Sequence, residues 1–164
     1  MMGLETHVRA PLADVDRVRD NLAAKGIDVV NGGEVIRQAR LVKSKLEVDK
    51  IRHAAQIASA AFAALPARLN AMRELSGNGI VTERDARDAL RLTMIEFGAD
   101  DTAYVMAQSG QGGYDNIVLE PSDKELTSGD VLVIDTGMQF DGYWADFDRN
   151  FIVGGDRYLK DETK

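Results

Sequence analysis

Cysteine is absent from the 164 residues. The chain therefore has no disulfide and no thiolate, and any metal it holds must be bound by carboxylates and imidazoles, a choice that suits hard or borderline cations. Histidine is scarce as well, with two in the whole chain. Both His7 and His53 lie upstream of the stretch that carries the chemistry, so each is read as a surface or packing residue without a role. Long apolar runs are missing: none approaches the roughly 18 residues that a membrane helix needs. The opening MMGLETHVRAPLADVDRVRD also lacks the apolar core of a secretory signal, which predicts a cytoplasmic protein. Positive charge is in deficit, 20 Lys and Arg against 27 Asp and Glu, for a net charge of −7. That balance argues against a nucleic-acid partner, whose phosphates require clustered Lys and Arg.

What is present is the composition of a soluble globular protein, 45% hydrophobic and 29% charged, at the length of one ordinary domain. Val15, Val18 and Leu22 recur at helical spacing over residues 13–25, and Gly26 supplies a stop. The following IDVVNGGEVIRQARLVKS predicts a short strand, a Gly-Gly turn and a connector, so residues 1–42 do not make a domain by themselves. Ser44 and Glu47 have the spacing of a capping box. Beyond them Leu46, Ile51, Ala54, Ala58, Ala61, Phe62, Leu65 and Leu69 continue a long helix that Pro66 should kink or interrupt and that SGNG at 76–79 ends. Thr82 and Asp85 cap a further helix with Ala86, Leu90, Met94 and Phe97 on one side. From Thr102 onward the pattern turns to strands.

The chemistry concentrates in VLVIDTGMQFDGYWADFDRNFIVG, where two strand-like runs meet at Asp141-Gly142, a strong signal for a two-residue hairpin loop. With that loop, Phe140 pairs with Tyr143, Gly137 with Asp146 and Asp135 with Asp148. Because alternate residues share a face, Asp135, Asp146 and Asp148 then project from one side, while Ile134, Thr136, Ala145 and Phe147 line the other. Three carboxylates on one face repel, and a cation is what would reconcile them. The alternative reading is a structural, solvated hairpin in an acidic α+β domain.

The string Asp135-Thr-Gly, then Gly142-Tyr143, then Asp146-Phe-Asp148-Arg149, resembles the hallmark of the pita-bread metallohydrolases: methionine aminopeptidase, aminopeptidase P, prolidase and creatinase. Ten residues separate the two Asp, as in that family, and residues 43–155 carry the likeness. The resemblance implies an α+β fold, the N-terminal half of a pita-bread fold: two helices, then antiparallel strands with an Asp-bearing hairpin. It assigns residues 1–42 to the tail of a creatinase-type N-terminal domain and 43–164 to an incomplete catalytic domain. It further implies a hydrolase of the Xaa-Pro aminopeptidase or dipeptidase type, using two divalent metals (Mn, Co, Zn or Fe) with Asp135 and Asp146 as ligands, acting on a small peptide, and dimeric. Asp148 and Arg149 stand as additional ligands or supporting groups, with Arg149 expected to pair with a carboxylate of the hairpin.

Two departures qualify that picture. The family's later ligands, one His and two Glu, have no segment here to supply them, so the chain is expected to be a fragment that binds metal weakly and is inactive alone. The loop SGQGGYDNIVLEPSD lacks the His that the family's peptidases carry there, leaving Tyr114, Asp115 and Asn116 as candidates for substrate contact. That loop and Asp148, where many peptidases have Thr, resemble a branch with ectoine-hydrolase-like members, so a small non-peptide C–N bond competes with a peptide. A non-catalytic binding module on the same fold is the remaining alternative.

Overall fold

A computed structural model describes residues 12–111 and 120–154. The chain divides into two compact units, Met1–Ser44 and Lys45–Lys164. The first contains α1 (Leu12–Ala23) and α2 (Gly33–Leu41). Gly26, at φ +70°, ends the turn after α1 as expected. Residues 27–30, where a short strand is expected, form neither strand nor helix, and the Gly-Gly turn and connector expected after them give way to α2 from Gly33. Asn31 Oδ1 accepts from the Gly33 N–H at 2.9 Å, and Glu34 accepts from Arg37 and Gln38 one turn on. These local side-chain pairs favour a helix where the Gly-Gly pair suggests a turn.

The second unit has two layers. Helix α3 (Lys45–Leu75) buries Ala54, Ile57, Ala58, Ala61, Phe62 and Leu65. It runs through Pro66 without interruption. A proline there forfeits one backbone bond, about 3 kcal/mol in an isolated helix, but its neighbour Leu65 is wholly buried and holds the backbone in place. Leu46, counted in the apolar stripe by spacing, is 65% exposed. Helix α4 (Glu83–Glu96) opens with the Thr82–Asp85 capping box and buries Ala86, Leu90 and Met94, whereas Phe97 lies beyond its last turn, at the surface.

Strands β1 (Asp101–Gly110), β2 (Val131–Phe140) and β3 (Tyr143–Ile152) form an antiparallel sheet in the order β1-β2-β3. Helix α4 packs over β1 and α3 over β2 and β3. Both helices cover the same face, where Val105, Ala107, Leu132, Ile134, Met138 and Ala145 join the core. This is the α+β architecture expected from the order of the elements.

One buried carboxylate knots the edge of this unit. Glu83, 4% exposed, accepts from the Ser109 N–H and hydroxyl at 2.7 and 2.9 Å, and from the Ser122 N–H and hydroxyl at 3.2 and 2.7 Å. Burial would raise its pKa, but these four donors outweigh it and the carboxyl titrates below its ordinary range. The first turn of α4, the end of β1 and the segment leading to β2 are thereby tied to one charge.

Candidate active site

The hairpin forms in the expected register: Asp135 opposite Asp148, Gly137 opposite Asp146, and Phe140 opposite Tyr143. Its loop is Asp141-Gly142, at φ 48° and 77°, the left-handed pair that a two-residue turn matching strand twist requires. The turn is also braced from outside. Lys50 of α3 forms an ion pair with Asp141 at 2.7 Å, the Tyr143 hydroxyl donates to Glu47 at 3.0 Å, and His53 lies against the Phe140 ring with centroids 4.4 Å apart. His53 thus packs on the hairpin tip.

With the register fixed, the two faces separate as strand alternation demands. Ile134, Thr136 and Ala145 are buried, and Phe147 packs against the same core. Asp135, Asp146 and Asp148 alternate onto the opposite face, where Asp135 is half-buried and the other two are exposed. Partial burial, followed by the charges of Asp146 and Asp148, pushes the Asp135 carboxyl above its ordinary value, against a smaller opposing hydrogen bond from the Thr136 backbone. A raised carboxylate beside two others is short of positive charge.

Each residue of Asp135-Thr136-Gly137 has its own task. Asp135 carries the charge. Thr136, fully buried, donates its hydroxyl to the Tyr104 carbonyl at 2.9 Å and holds β1 against β2. Gly137 leaves room: a Cβ there would fall 2.4 Å from Cε1 of Tyr104. The Tyr104 hydroxyl donates to Asp146 Oδ1 at 2.9 Å. Burial, then this bond and the nearby carboxylates, push its phenol up to about 12, so it remains a donor across the ordinary pH range. The sequence pattern does not single out Tyr104. The available signal was a glycine in the middle of a strand, which marks close approach of another group.

Arg149 differs from expectation. Its guanidinium lies over the Phe62 and Phe147 rings, at 5.8 and 5.1 Å, and donates to the Asp148 carbonyl at 2.5 Å. Strand alternation turns position 149 toward the helices, away from the carboxylate face, so it covers aromatic core and pairs with no acid of the hairpin. Tyr114, Asp115 and Asn116 lie outside the described residues. Among the described residues no three His, Cys, Asp or Glu side chains converge into a group that could hold a metal ion. The donor set offered is thus carboxylate oxygen from the hairpin, which fits part of a divalent-cation shell. A separate cleft of about 530 Å³, lined by Leu65, Leu69, Leu126 and Phe151 among others, includes none of the three carboxylates.

Comparison with known proteins places the chain in a family. Residues 49–163 match Metallopeptidase family M24. The chain is 30% identical over 149 residues to the probable dipeptidase PepE of Mycobacterium tuberculosis, covering 88% of this chain and 34% of that protein. It is 29% identical over 123 residues to the Xaa-Pro dipeptidase of Pyrococcus furiosus, covering 74% and 32%. Among solved structures, the X-Pro aminopeptidase of Thermotoga maritima superposes with a TM-score of 0.72 at 28% identity, covering 90% of this chain and 38% of that one. The Thermococcus sibiricus prolidase gives 0.70 at 25% identity, covering 93% and 40%. The chain therefore spans about a third of the length of the curated relatives it matches.

Proposed function

The chain belongs to metallopeptidase family M24, and from that premise we propose that it carries part of the active site of a metal-dependent hydrolase of the Xaa-Pro dipeptidase or aminopeptidase type. The observation that carries this reading is the hairpin, which turns Asp135, Asp146 and Asp148 onto one face with Asp135 raised by its neighbours. Nothing in sheet stability rewards that arrangement, and a divalent cation would.

Asp135 and Asp146 would supply oxygen ligands, with Asp148 as a nearby third carboxylate. A cation held there brings Lewis acidity toward water and toward a scissile carbonyl. The chain's own contribution is orientation: the Asp141-Gly142 turn sets the register, Thr136 locks β2 to β1, and the helices behind the sheet keep the carboxylate face rigid. Two hairpin carboxylates fall short of a full ligand set, so we infer weak metal binding by this chain and little turnover by it alone. The identity of the metal among Mn, Co, Zn and Fe, and a dinuclear rather than single site, are part of the same proposal.

The substrate class we infer is a small peptide. The relatives named above are dipeptidases and an X-Pro aminopeptidase, which supports a peptide bond over a non-peptide C–N bond.

A thermal melt with chelator and with added Mn²⁺ tests the metal site. At ten times its dissociation constant a bound ion stabilises the fold by about 1.4 kcal/mol. The native chain should gain stability with Mn²⁺ and Asp135→Asn should not. Equal melting of the two proteins under both conditions would overturn the reading.

A further inference from the structure

Tyr104 pairs with Gly137 across β1 and β2, and Gly137 pairs with Asp146 across β2 and β3. One row of the sheet therefore holds all three. Outer strands of such a row are separated by two strand spacings, about 9.6 Å, so their side chains meet only if one lies flat over the middle strand. The Tyr104 ring does so. A Cβ on Gly137 would meet Cε1, Cζ and Cδ1 of that ring at 2.4, 2.9 and 3.1 Å. Gly137 is not among the glycines with positive φ, so space rather than backbone conformation requires it. At the far end of the ring the hydroxyl reaches Asp146 Oδ1 at 2.9 Å.

The backbone beneath is adjusted to this reach. The β1–β2 register shifts between Thr102 and Tyr104, and the Thr136 hydroxyl fixes the Tyr104 carbonyl at 2.9 Å. Such an irregularity re-aims a side chain. Packing of the ring alone would account for the glycine. It would not account for a phenol directed at an exposed carboxylate that like charges would otherwise turn aside.

We propose that Tyr104, Gly137 and Asp146 act as one positioning device, in which the glycine opens a slot, the tyrosine ring fills it, and the phenol fixes the Asp146 carboxylate for a divalent cation. This rests on the metal-site reading above. Tyr104 acts through Asp146 and is a positioning residue.

The test is a Mn²⁺ titration of the 164-residue chain, followed by the paramagnetic resonance of free Mn²⁺, on the native protein, Tyr104→Phe, Gly137→Ala, the double variant and Asp146→Asn. Metal-free urea midpoints are measured in parallel. Tyr104→Phe should weaken Mn²⁺ binding by about tenfold or more, the range found for groups that orient metal ligands, with its metal-free midpoint little changed. A merely structural tyrosine would move the midpoint instead. Gly137→Ala should weaken binding comparably, and adding Tyr104→Phe to it should cost nothing further, because the displaced ring has already lost Asp146. If Gly137→Ala fails to fold, Tyr104→Phe decides alone. Native affinity in Tyr104→Phe, with binding lost in Asp146→Asn, would overturn the device and leave the metal site standing. No binding by the native chain, or equal binding by native and Asp146→Asn, would overturn the metal site and the device together.

Discussion

Glu83 and Asp135 are both acids withdrawn from water in the same unit, and they are built to opposite rules. Burial pushes each carboxyl upward. Around Glu83, two serines supply four donors that more than reverse the effect. Around Asp135, the next groups of consequence are Asp146 and Asp148, which add to it. Burial alone therefore says little about what an acid is for. An acid whose oxygens are satisfied by the protein is part of the structure; one faced by like charges is incomplete until something positive arrives.

Removing the satisfied acid should break this contrast most severely. Glu83→Ala would strand the donors of Ser109 and Ser122 and should cost about 3 kcal/mol or more in urea denaturation, with Glu83→Gln losing less because its shape and one acceptor remain. A loss below about 1 kcal/mol would show that water replaces the carboxylate and that the knot is not structural.

The contrast sharpens with pH, because the two shifts have opposite signs. Glu83 is depressed in the fold, so its contribution is complete above its unfolded pKa, about 4, and is lost as pH falls through the lower folded value. Asp135 is raised, so its charge destabilises the metal-free fold above the folded pKa, and protonation relieves that as pH falls toward about 4. Metal-free melts between neutrality and pH 3 should show Asp135→Asn removing a gain in stability on acidification and Glu83→Gln removing part of the later loss. Parallel curves for native and Asp135→Asn would contradict the assignment.

The smallest effect is expected at neutral pH without metal. Asp135→Asn should leave stability unchanged or raise it by about 0.5 kcal/mol, since like charges in cross-strand positions are unfavourable by that order. A clear loss in a metal-free melt would mean that Asp135, like Glu83, is a structural acid.

The hairpin was legible in the sequence because its determinants are local. Asp141-Gly142 sets the loop, and strand alternation then places every side chain from Asp135 to Asp148. The caps at Thr82 and Asp85 and the apolar stripe of α3 were legible for the same reason. Tyr104 and Glu83 were not, because their partners are distant in the chain. Tyr104 reaches Asp146 through a β1–β2 register that includes an irregularity, and Glu83 gathers Ser109 and Ser122 from beyond α4. The interruption that Pro66 could have caused does not occur, and the helix continues beside the wholly buried Leu65. Arg149 misled because a charge preference was weighed without applying the alternation that had placed its neighbours. The α2 segment was less legible because its Gly32-Gly33 pair reads as a turn and outweighs the local pairs of Glu34 with Arg37 and Gln38.

The two-residue turn at Asp141-Gly142 makes the hairpin behave like a reading frame. Gaining or losing one codon between Gly137 and Asp146 would offset all of β3 by one position, sending Asp146 and Asp148 toward the helices and Ala145 and Phe147 outward. No single substitution in the hairpin does as much. The length of this stretch, as much as its residues, holds the three acids on one face.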